Sequence, residues 1–242
     1  MSKTRIIDAV KHLDVDTVRD LLDARPGLLA VTDQRGFNLL LLACCVPAAR
    51  LGIAESVGAR LVTLLLDRGL DVESQLPARQ EKCTALFFAV ARARSTTLIK
   101  LLLERGAKVE NAPGGGLFAA GWWDSPEHLK LLLRAGADID ARAGMTAFLA
   151  SWCWRKFEAA KFLATRGADV NTTEPKTRKT ALHYGVEKEF DPALLRWLVR
   201  HGASPDIKDR DGVTARARAS RKRDKRWLEA LDARATSPRA SA

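Results

Sequence analysis

One phrase returns five times along this chain: an apolar helical run that ends at a glycine and passes into an extended polar stretch. The copies are LLLDRGLDVES (64–74), LLLERGAKVEN (101–111), LLLRAGADIDA (131–141), KFLATRGADVN (161–171) and WLVRHGASPDI (197–207). Their glycines are Gly69, Gly106, Gly136, Gly167 and Gly202. The steps between them are 37, 30, 31 and 35 residues, and a period of about 33 predicts a stack of structural repeats. Such a stack usually provides a binding surface rather than a catalytic pocket.

Each repeat contains a second apolar segment, which begins after a threonine. The clearest versions start at Thr84, Thr146 and Thr180. A threonine at this point can cap the free N–H groups of a helix. The glycine that ends the other helix fits a left-handed cap, where a side chain would cost about 1 kcal/mol. We therefore predict a unit of helix, turn, helix and glycine-terminated loop, stabilised by stacking on its neighbours.

These residues resemble an ankyrin repeat, whose first helix reads T-x-L-H-x-A and whose second ends L-L-x-x-G-A-D-V-N. Residues 180–183 and 202–203 match this pattern closely, as do 167–171 and 136–140. The resemblance covers roughly residues 4–232. It implies an all-α ankyrin-type solenoid of about seven helix-turn-helix units, five full repeats plus N- and C-terminal caps, with short hairpin loops.

The two ends of the array depart from the pattern. In the first copy Arg25-Pro26-Gly27 replaces the usual loop, and in the last copy Arg216 stands where a buried leucine is expected. Because solenoids need polar caps, we expect a monomeric single domain at 1–234. It divides into an N-cap (1–32), repeats (33–209) and a C-cap (210–234). Residues 235–242 are predicted to be a disordered tail.

Two internal departures are also informative. The second repeat carries an insertion at 46–58 between its helices. It is either a tolerated surface loop, since long loops cost little extra entropy, or a loop that contacts a partner. In the fourth unit Pro113-Gly114-Gly115-Gly116 replaces the turn that starts the first helix. That glycine run predicts a flexible or unusually tight hairpin.

The resemblance implies that the first helices and the hairpin tips line a concave groove. Four tryptophans lie at or just after predicted first helices of adjoining repeats, which predicts that they stack side by side. Tryptophan is enriched at binding hot spots because it buries a large area. The alternative is that one member of each pair packs between repeats, Trp152 above all, since the family prefers alanine there. The full predicted partner-binding set is Trp122, Trp123, Trp152, Trp154, Phe87, Tyr184, Arg155, Arg178 and Lys179.

The net charge of +11 is concentrated at one end, because residues 210–242 hold ten Arg or Lys against four Asp or Glu. Basic residues interleaved with the tryptophans predict a partner protein with an acidic surface or peptide. Nucleic-acid association through the basic segment 216–226 is the alternative, since such a run can contact phosphates. A polar outer face on the cap explains the same arginines without nucleic acid.

The sequence carries no pattern typical of catalysis. It lacks HExxH, P-loop, GxSxG and dinucleotide motifs, and its histidines are scattered. The four cysteines show neither zinc-site nor disulfide spacing. We therefore predict a non-catalytic interaction module, a scaffold, adaptor or inhibitor, that uses no cofactor or metal. A substrate-recruiting arm for a separate modifying enzyme is a further possibility.

The N-terminus has no apolar core of a secretory signal. The longest apolar run, 39–46, is too short to cross a bilayer. Reduced cysteines and the absence of any other address favour the cytoplasm. High Ala and Arg content is typical of a GC-rich bacterial genome.

Overall fold

The computed structural model describes residues 2–76, 83–109 and 115–232, and helices dominate it. Shorter elements are 3-10 turns at Pro26–Ala30 and Ala48–Leu51, a π-helical turn at Ala89–Ala93, and a hairpin of β1 (Arg142–Ala143) with β2 (Met145–Thr146). The helices are α1 (Ser2–Lys11), α2 (Val15–Ala24), α3 (Leu39–Ala43), α4 (Glu55–Asp67), α5 (Ala85–Phe88), α6 (Thr96–Glu104), α7 (Gly115–Trp122), α8 (Pro126–Arg134), α9 (Ala147–Cys153), α10 (Phe157–Thr165), α11 (Ala181–Glu187), α12 (Pro192–Arg200), α13 (Ala215–Ser220) and α14 (Arg226–Leu231).

The chain forms two compact units, and their boundary falls inside the stretch predicted as one domain. The first unit comprises Met1–Ala120 and Glu127–Asp138, and the second comprises Gly121–Pro126 and Ile139–Ala242. In the first unit α1, α3 and α5 pack in succession, and so do α2, α4 and α6. In the second unit α9, α11 and α13 form one layer, and α12 packs on α14. First helices therefore stack on first helices and second helices on second helices, as predicted. The number of repeat units remains a prediction.

Side chains cap the starts of the first helices. Thr84, Thr146 and Thr214 each accept a hydrogen bond from the backbone N–H three residues further on, at 3.0–3.3 Å. Thr180 donates its backbone N–H and its hydroxyl to Nδ1 of His183, at 3.2 and 2.8 Å. Burial lowers the pKa of His183, and Nε2 of the neutral ring donates to a carbonyl of the next hairpin at 3.0 Å. The predicted threonine caps are confirmed at Thr84 and Thr146, whereas the Thr180 hydroxyl bonds to the His183 ring instead.

A left-handed glycine ends each second helix in the five repeated phrases. The φ values of these five glycines lie between 89° and 101°, where a side chain costs about 1–2 kcal/mol. At Gly167 the backbone N–H bonds back to Ala164 at 3.2 Å, and the N–H of Ala168 bonds to Leu163 at 3.1 Å. These paired bonds satisfy carbonyls that would otherwise lack partners. The glycine caps predicted from the sequence are confirmed.

A second regularity joins consecutive loops. The side chain four residues after one glycine accepts a hydrogen bond from the backbone N–H two residues after the next glycine. These bonds run from Lys108 to Glu73 (2.9 Å) in the first unit, and from Asp169 to Asp140 (2.9 Å) and Ser204 to Asn171 (2.8 Å) in the second. Asn171 also donates its amide to the carbonyl of Gly202 at 3.0 Å. In these three described loops the extended polar stretch thus holds the next repeat in register.

The predicted insertion at 46–58 is shorter than expected. Helix α4 already begins at Glu55, so of the predicted insertion only residues 46–54 lie between the two helices of this repeat. The Glu55 carboxylate accepts hydrogen bonds from the Ser95 hydroxyl (2.6 Å) and the Thr97 N–H (3.3 Å), which caps the start of α6. Residues 55–58 therefore belong to helix α4 and not to the loop. Leu51, in the preceding 3-10 turn, is exposed.

The glycine run in the fourth unit was predicted to form a hairpin, and its second half does not. Gly115 and Gly116 form the first turn of α7, whereas Pro113 and Gly114 lie outside the described residues, as does the predicted tail. A Cβ on Gly116 would stand 3.5 Å from Leu132, so the helix packs closely there. Among the described residues no helix is long and apolar enough to cross a membrane.

We expect Asn171→Ala to lower the free energy of unfolding by about 1–2 kcal/mol, because it removes two hydrogen bonds between adjoining loops. Urea unfolding followed by circular dichroism measures this change. Asn171→Asp is the matched control: it keeps the acceptor for Ser204 and loses only the donor to Gly202. An alanine variant as stable as the aspartate variant would contradict a role for this acceptor in holding the loops together.

Candidate functional site

The predicted tryptophan cluster forms in the second unit. Trp122 is the last residue of α7, Trp123 follows it, and Trp154 caps the end of α9. The rings of Trp122 and Trp154 pack edge to face, with centroids 4.7 Å apart, a geometry worth about 0.5–1.5 kcal/mol. Trp122 and Trp123 are 43% and 42% exposed, and with Leu51 they are the exposed large apolar side chains of the described residues. We call Trp122, Trp123 and Trp154 the tryptophan surface.

Two small or polar residues hold the tryptophans in place. A Cβ on Gly121 would stand 2.4 Å from the Ser151 hydroxyl, so only glycine lets the end of α7 approach α9 this closely. Asp124 donates its backbone N–H to Gly121 at 3.0 Å, and its carboxylate accepts the N–H of Ala159 in α10 at 2.8 Å. The turn that carries Trp122 and Trp123 is therefore fixed at both ends.

Arg155 and Tyr184 adjoin the tryptophan surface through Lys188. The Arg155 guanidinium lies 4.6 Å from the centre of the Phe190 ring and donates to the carbonyl of Lys188 at 2.9 Å. Lys188 in turn donates to the carbonyl of Cys153 at 2.8 Å, and its Nζ lies 5.5 Å from the Tyr184 ring. Lys188 was not among the predicted site residues. The repeat register could have found it, because it occupies the position of Trp123 and Trp154 in the next repeat.

Trp123, Trp154, Arg155 and Lys188 lie at turns between a first helix and its second helix. Each turn contains a residue with positive φ: Asp124 (53°), Arg155 (61°) and Glu189 (52°). Leu13 and Arg94 occupy the same place in the first unit, with φ of 54° and 52°. Positive φ is therefore a feature of the repeat, and each non-glycine residue there bears about 1–2 kcal/mol of strain.

Trp152 is a correction to the predicted site. Its side chain is completely buried and packs against Phe148, Phe157 and Phe190, with centroids 5.5–6.3 Å away. Its indole N–H has no hydrogen-bond partner among the described residues. The prediction that Trp152 contacts a partner is wrong, and the alternative, that it packs between repeats, is correct.

Of the remaining predicted residues, one belongs to the first unit and two lie at the opposite end of a first helix in the second unit. Phe87 is half-buried in the first unit, edge to face with Phe88 at 5.5 Å. Arg178 and Lys179 precede the start of α11, whereas the tryptophans stand at the ends of first helices. The seven residues of α11 separate those two levels by about 10 Å. Lys179 also forms an ion pair with Glu187 at 2.8 Å.

The basic segment 216–226 is tied into the second unit by carboxylates. Four of its seven basic residues form ion pairs: Arg216 with Asp206 and Asp232, Arg218 with Asp209 and Glu187, Lys222 with Glu189, and Arg226 with Asp224. Asp206 stands four residues after Gly202, where earlier repeats bind the next loop, and Arg216 takes the place of that loop. This pairing favours the cap explanation of the basic segment over phosphate binding.

The cysteines lack the environment of a reactive thiol. All four are free, and burial raises the pKa of Cys45 and of Cys153 to about 12. A thiol with so high a pKa stays protonated at neutral pH and is a poor nucleophile. In the described ranges no three His, Cys, Asp or Glu side chains stand close enough together to hold a metal ion.

Comparison with known proteins identifies the fold. Residues 117–211 match the family model of ankyrin repeats, in three copies. The ankyrin repeat domain of Bcl-3, a member of the IkappaB protein family, is 24% identical over 94% of this chain and 97% of that chain, with a TM-score of 0.73. The human ASB11 ankyrin repeat domain is 18% identical over 93% and 95%, with a TM-score of 0.71. The predicted all-α ankyrin-type fold is confirmed.

We expect Trp152→Ala to cost about 3–5 kcal/mol of unfolding free energy, because it leaves a large cavity in the core. Trp122→Ala, at an exposed position, should cost about 1 kcal/mol or less, mainly its edge-to-face contact. Urea unfolding of the two variants checks this difference. Equal losses of unfolding free energy in the two variants would contradict the assignment of Trp152 to the core and of Trp122 to the surface.

The Asp209–Arg218 pair should make stability depend on pH. Burial by itself raises the pKa of Asp209, but hydrogen bonds from Arg218 and from the Val213 N–H outweigh it and hold that pKa below its usual value. A depressed folded pKa stabilises the protein above the unfolded pKa, and this contribution is lost as the pH falls through the folded pKa.

We therefore expect Asp209→Asn to cost about 1–3 kcal/mol near pH 7 and less at about pH 3, where the pH is below the usual carboxyl pKa and part of the contribution is already lost. Urea unfolding of variant and wild type at both pH values gives the two differences. The other carboxylates titrate in both proteins. Asp209 is therefore reported by how the stability difference between wild type and variant changes from one pH to the other. A cost that does not shrink at low pH would contradict the assignment.

Proposed function

We propose that this chain, whose residues 117–211 are ankyrin repeats and whose fold is the ankyrin-repeat fold, is a non-catalytic module that binds a partner protein through the tryptophan surface. Ankyrin repeats are in general protein-interaction modules. A scaffold, an adaptor and an inhibitor all fit this function. We place the contact at the turns that end α7 and α9, as an addition to the groove that the resemblance implies.

One observation supports this proposal above the others: two adjacent tryptophans are each more than 40% exposed on a fixed turn. Tryptophan is usually well buried, and exposed large apolar side chains that adjoin one another are typical of interaction sites. Trp152, with the same chemistry and nearly the same place in its repeat, is buried in the core. The exposure of Trp122 and Trp123 is thus specific to their turn.

The mechanism we propose is preorganisation. The tryptophan turn is tied to α10 through Asp124, and the Trp122 ring is packed on Trp154. Binding therefore immobilises few additional side chains or loops. Each long side chain that is already held avoids an ordering cost of about 0.5–1.5 kcal/mol. Two anchored aromatic rings can then act as the hot spot of a small interface.

Other predicted features stay proposals. Phe87, Arg178 and Lys179 belong to the wider groove that the resemblance implies, outside the tryptophan surface. An acidic partner, a monomeric state, a cytoplasmic location and a bacterial source are proposed on the sequence grounds given above. The ion pairs of segment 216–226 support protein binding over nucleic-acid binding.

Affinity capture from native-source lysate tests the proposal. Tagged wild-type chain, Trp122→Ala/Trp123→Ala and Trp197→Ala are compared at physiological salt with nuclease present, after circular dichroism has shown all three to be folded. We expect the double variant to lose the partner at least about 30-fold, since hot-spot tryptophans contribute 2 kcal/mol or more. Trp197, half-buried in α12 and stacked on His201, is the matched control and should retain it.

Two results would overturn the proposal. Capture of the same proteins in the same amounts by wild type and the double variant would exclude the tryptophan surface as the contact. Recovery of nucleic acid alone, and only without nuclease, would favour the basic segment instead.

A further inference from the structure

Two exposed cations border the tryptophan surface, and both are bonded to neutral groups. Arg155 donates to the backbone carbonyl of Lys188, and Lys188 donates to the backbone carbonyl of Cys153. These carbonyls stand at the C-terminal ends of α11 and α9. The negative end of each helix dipole offsets roughly half of the positive charge of the cation bonded there. Within the described part of the chain neither cation forms an ion pair with a carboxylate. About half of each positive charge is therefore uncompensated.

The carboxylates of the same turns are already engaged. Asp124 accepts the N–H of Ala159. Glu187 pairs with Lys179 and Arg218, and Glu189 pairs with Lys222. Glu187 and Glu189 are thus paired with other cations, and the dipole of α10 offsets about half the charge of Asp124. Within the described residues Arg155 and Lys188 therefore have no carboxylate partner at these turns.

Both cations also retain hydrogen-bond donors. An arginine has five N–H donors and a lysine three, and each uses one on the protein here. The Arg155 guanidinium lies 4.6 Å from the centre of the Phe190 ring and is bonded to the Lys188 carbonyl, so its position is restricted before a ligand arrives. The planar fork of an arginine matches the geometry of a carboxylate.

We infer that the tryptophan surface binds an acidic segment of its partner, in which an apolar side chain is flanked by Asp or Glu. The apolar side chain packs on Trp122 and Trp123, and the carboxylates meet Arg155 and Lys188. Charge steers the encounter, and the aromatic contact holds the complex. This inference rests on the proposed function and adds the chemistry of the partner. Of the three basic residues predicted from the sequence it keeps Arg155, and it places Lys188 there instead of Arg178 and Lys179.

Selection from a library of short random peptides tests this inference. The full chain is immobilised at physiological salt, and bound peptides are sequenced. We expect enrichment of peptides that carry Asp or Glu next to Leu, Ile, Phe or Trp. The affinity of one enriched peptide is then measured by fluorescence anisotropy for wild type and variants whose fold has been checked by circular dichroism.

Three variants separate charge from shape. Arg155→Gln/Lys188→Gln should bind the enriched peptide about 10-fold or more weakly, as expected for the loss of close charge pairs. Arg155→Lys/Lys188→Arg keeps both charges but removes the fork of Arg155, so its affinity should lie between those of wild type and the glutamine variant. Arg166→Gln/Arg196→Gln removes the same charge from exposed positions elsewhere in the second unit and should change the affinity by less than about 2-fold.

The outcomes distinguish this inference from the proposed function. Enriched peptides without acidic residues that still need Trp122 and Trp123 would overturn the inference and leave the proposed function standing. Acidic peptides that bind Trp122→Ala/Trp123→Ala as well as wild type would overturn both. Equal losses in the two glutamine variants would reduce the effect to net charge and overturn the inference, as would a selection that enriches no peptide.

Discussion

A hydrogen bond between consecutive loops is the interaction on which the rest of the structure depends. A loop that leaves a glycine-capped helix has backbone N–H groups with no partner in its own repeat, and leaving such a group unpaired costs free energy comparable to a lost hydrogen bond. The side chain of Glu73, Asp140 or Asn171 in the preceding repeat supplies the acceptor. Because donor and acceptor sit at fixed offsets from two glycines, the bond sets the register in which neighbouring helix pairs stack.

That register determines what stands at the turns. In the second unit it brings the end of α7 against α9 at Gly121 and Ser151, and it sets Trp122 edge to face with Trp154. The same register puts Lys188 one repeat further along. A strip of aromatic and basic side chains thus results from equivalent positions of adjoining repeats, and its chemistry can change residue by residue without disturbing the core. This separation is why one fold can host many binding functions.

The basic residues of the second unit fall into two kinds, according to whether their partner is a carboxylate or a backbone carbonyl. Arg216 and Arg218 are enclosed by carboxylates and stabilise the last helices. Arg155 and Lys188 bond to carbonyls and keep much of their charge for a ligand. Sequence composition counts both kinds alike, so the sequence predicted basic contacts at Arg155, in the loop before α11 and in the dense segment 216–226 without separating them. The distinction between structural and available charge exists only once neighbouring side chains are placed.

The sequence by itself determined the features whose causes lie within a few residues or recur at a fixed spacing. These are the repeat, the threonine and glycine caps and the all-α ankyrin-type fold, since each depends on local backbone geometry or on period. Only the tertiary structure decided which tryptophan is buried. Trp152 and Trp122 both stand near the end of a first helix, and the family's preference for alanine at Trp152 left its burial as one of two alternatives. The choice depends on the neighbours that stacking supplies: Phe157 and Phe190 pack on Trp152, whereas Trp122 meets Trp154 edge to face and stays partly exposed.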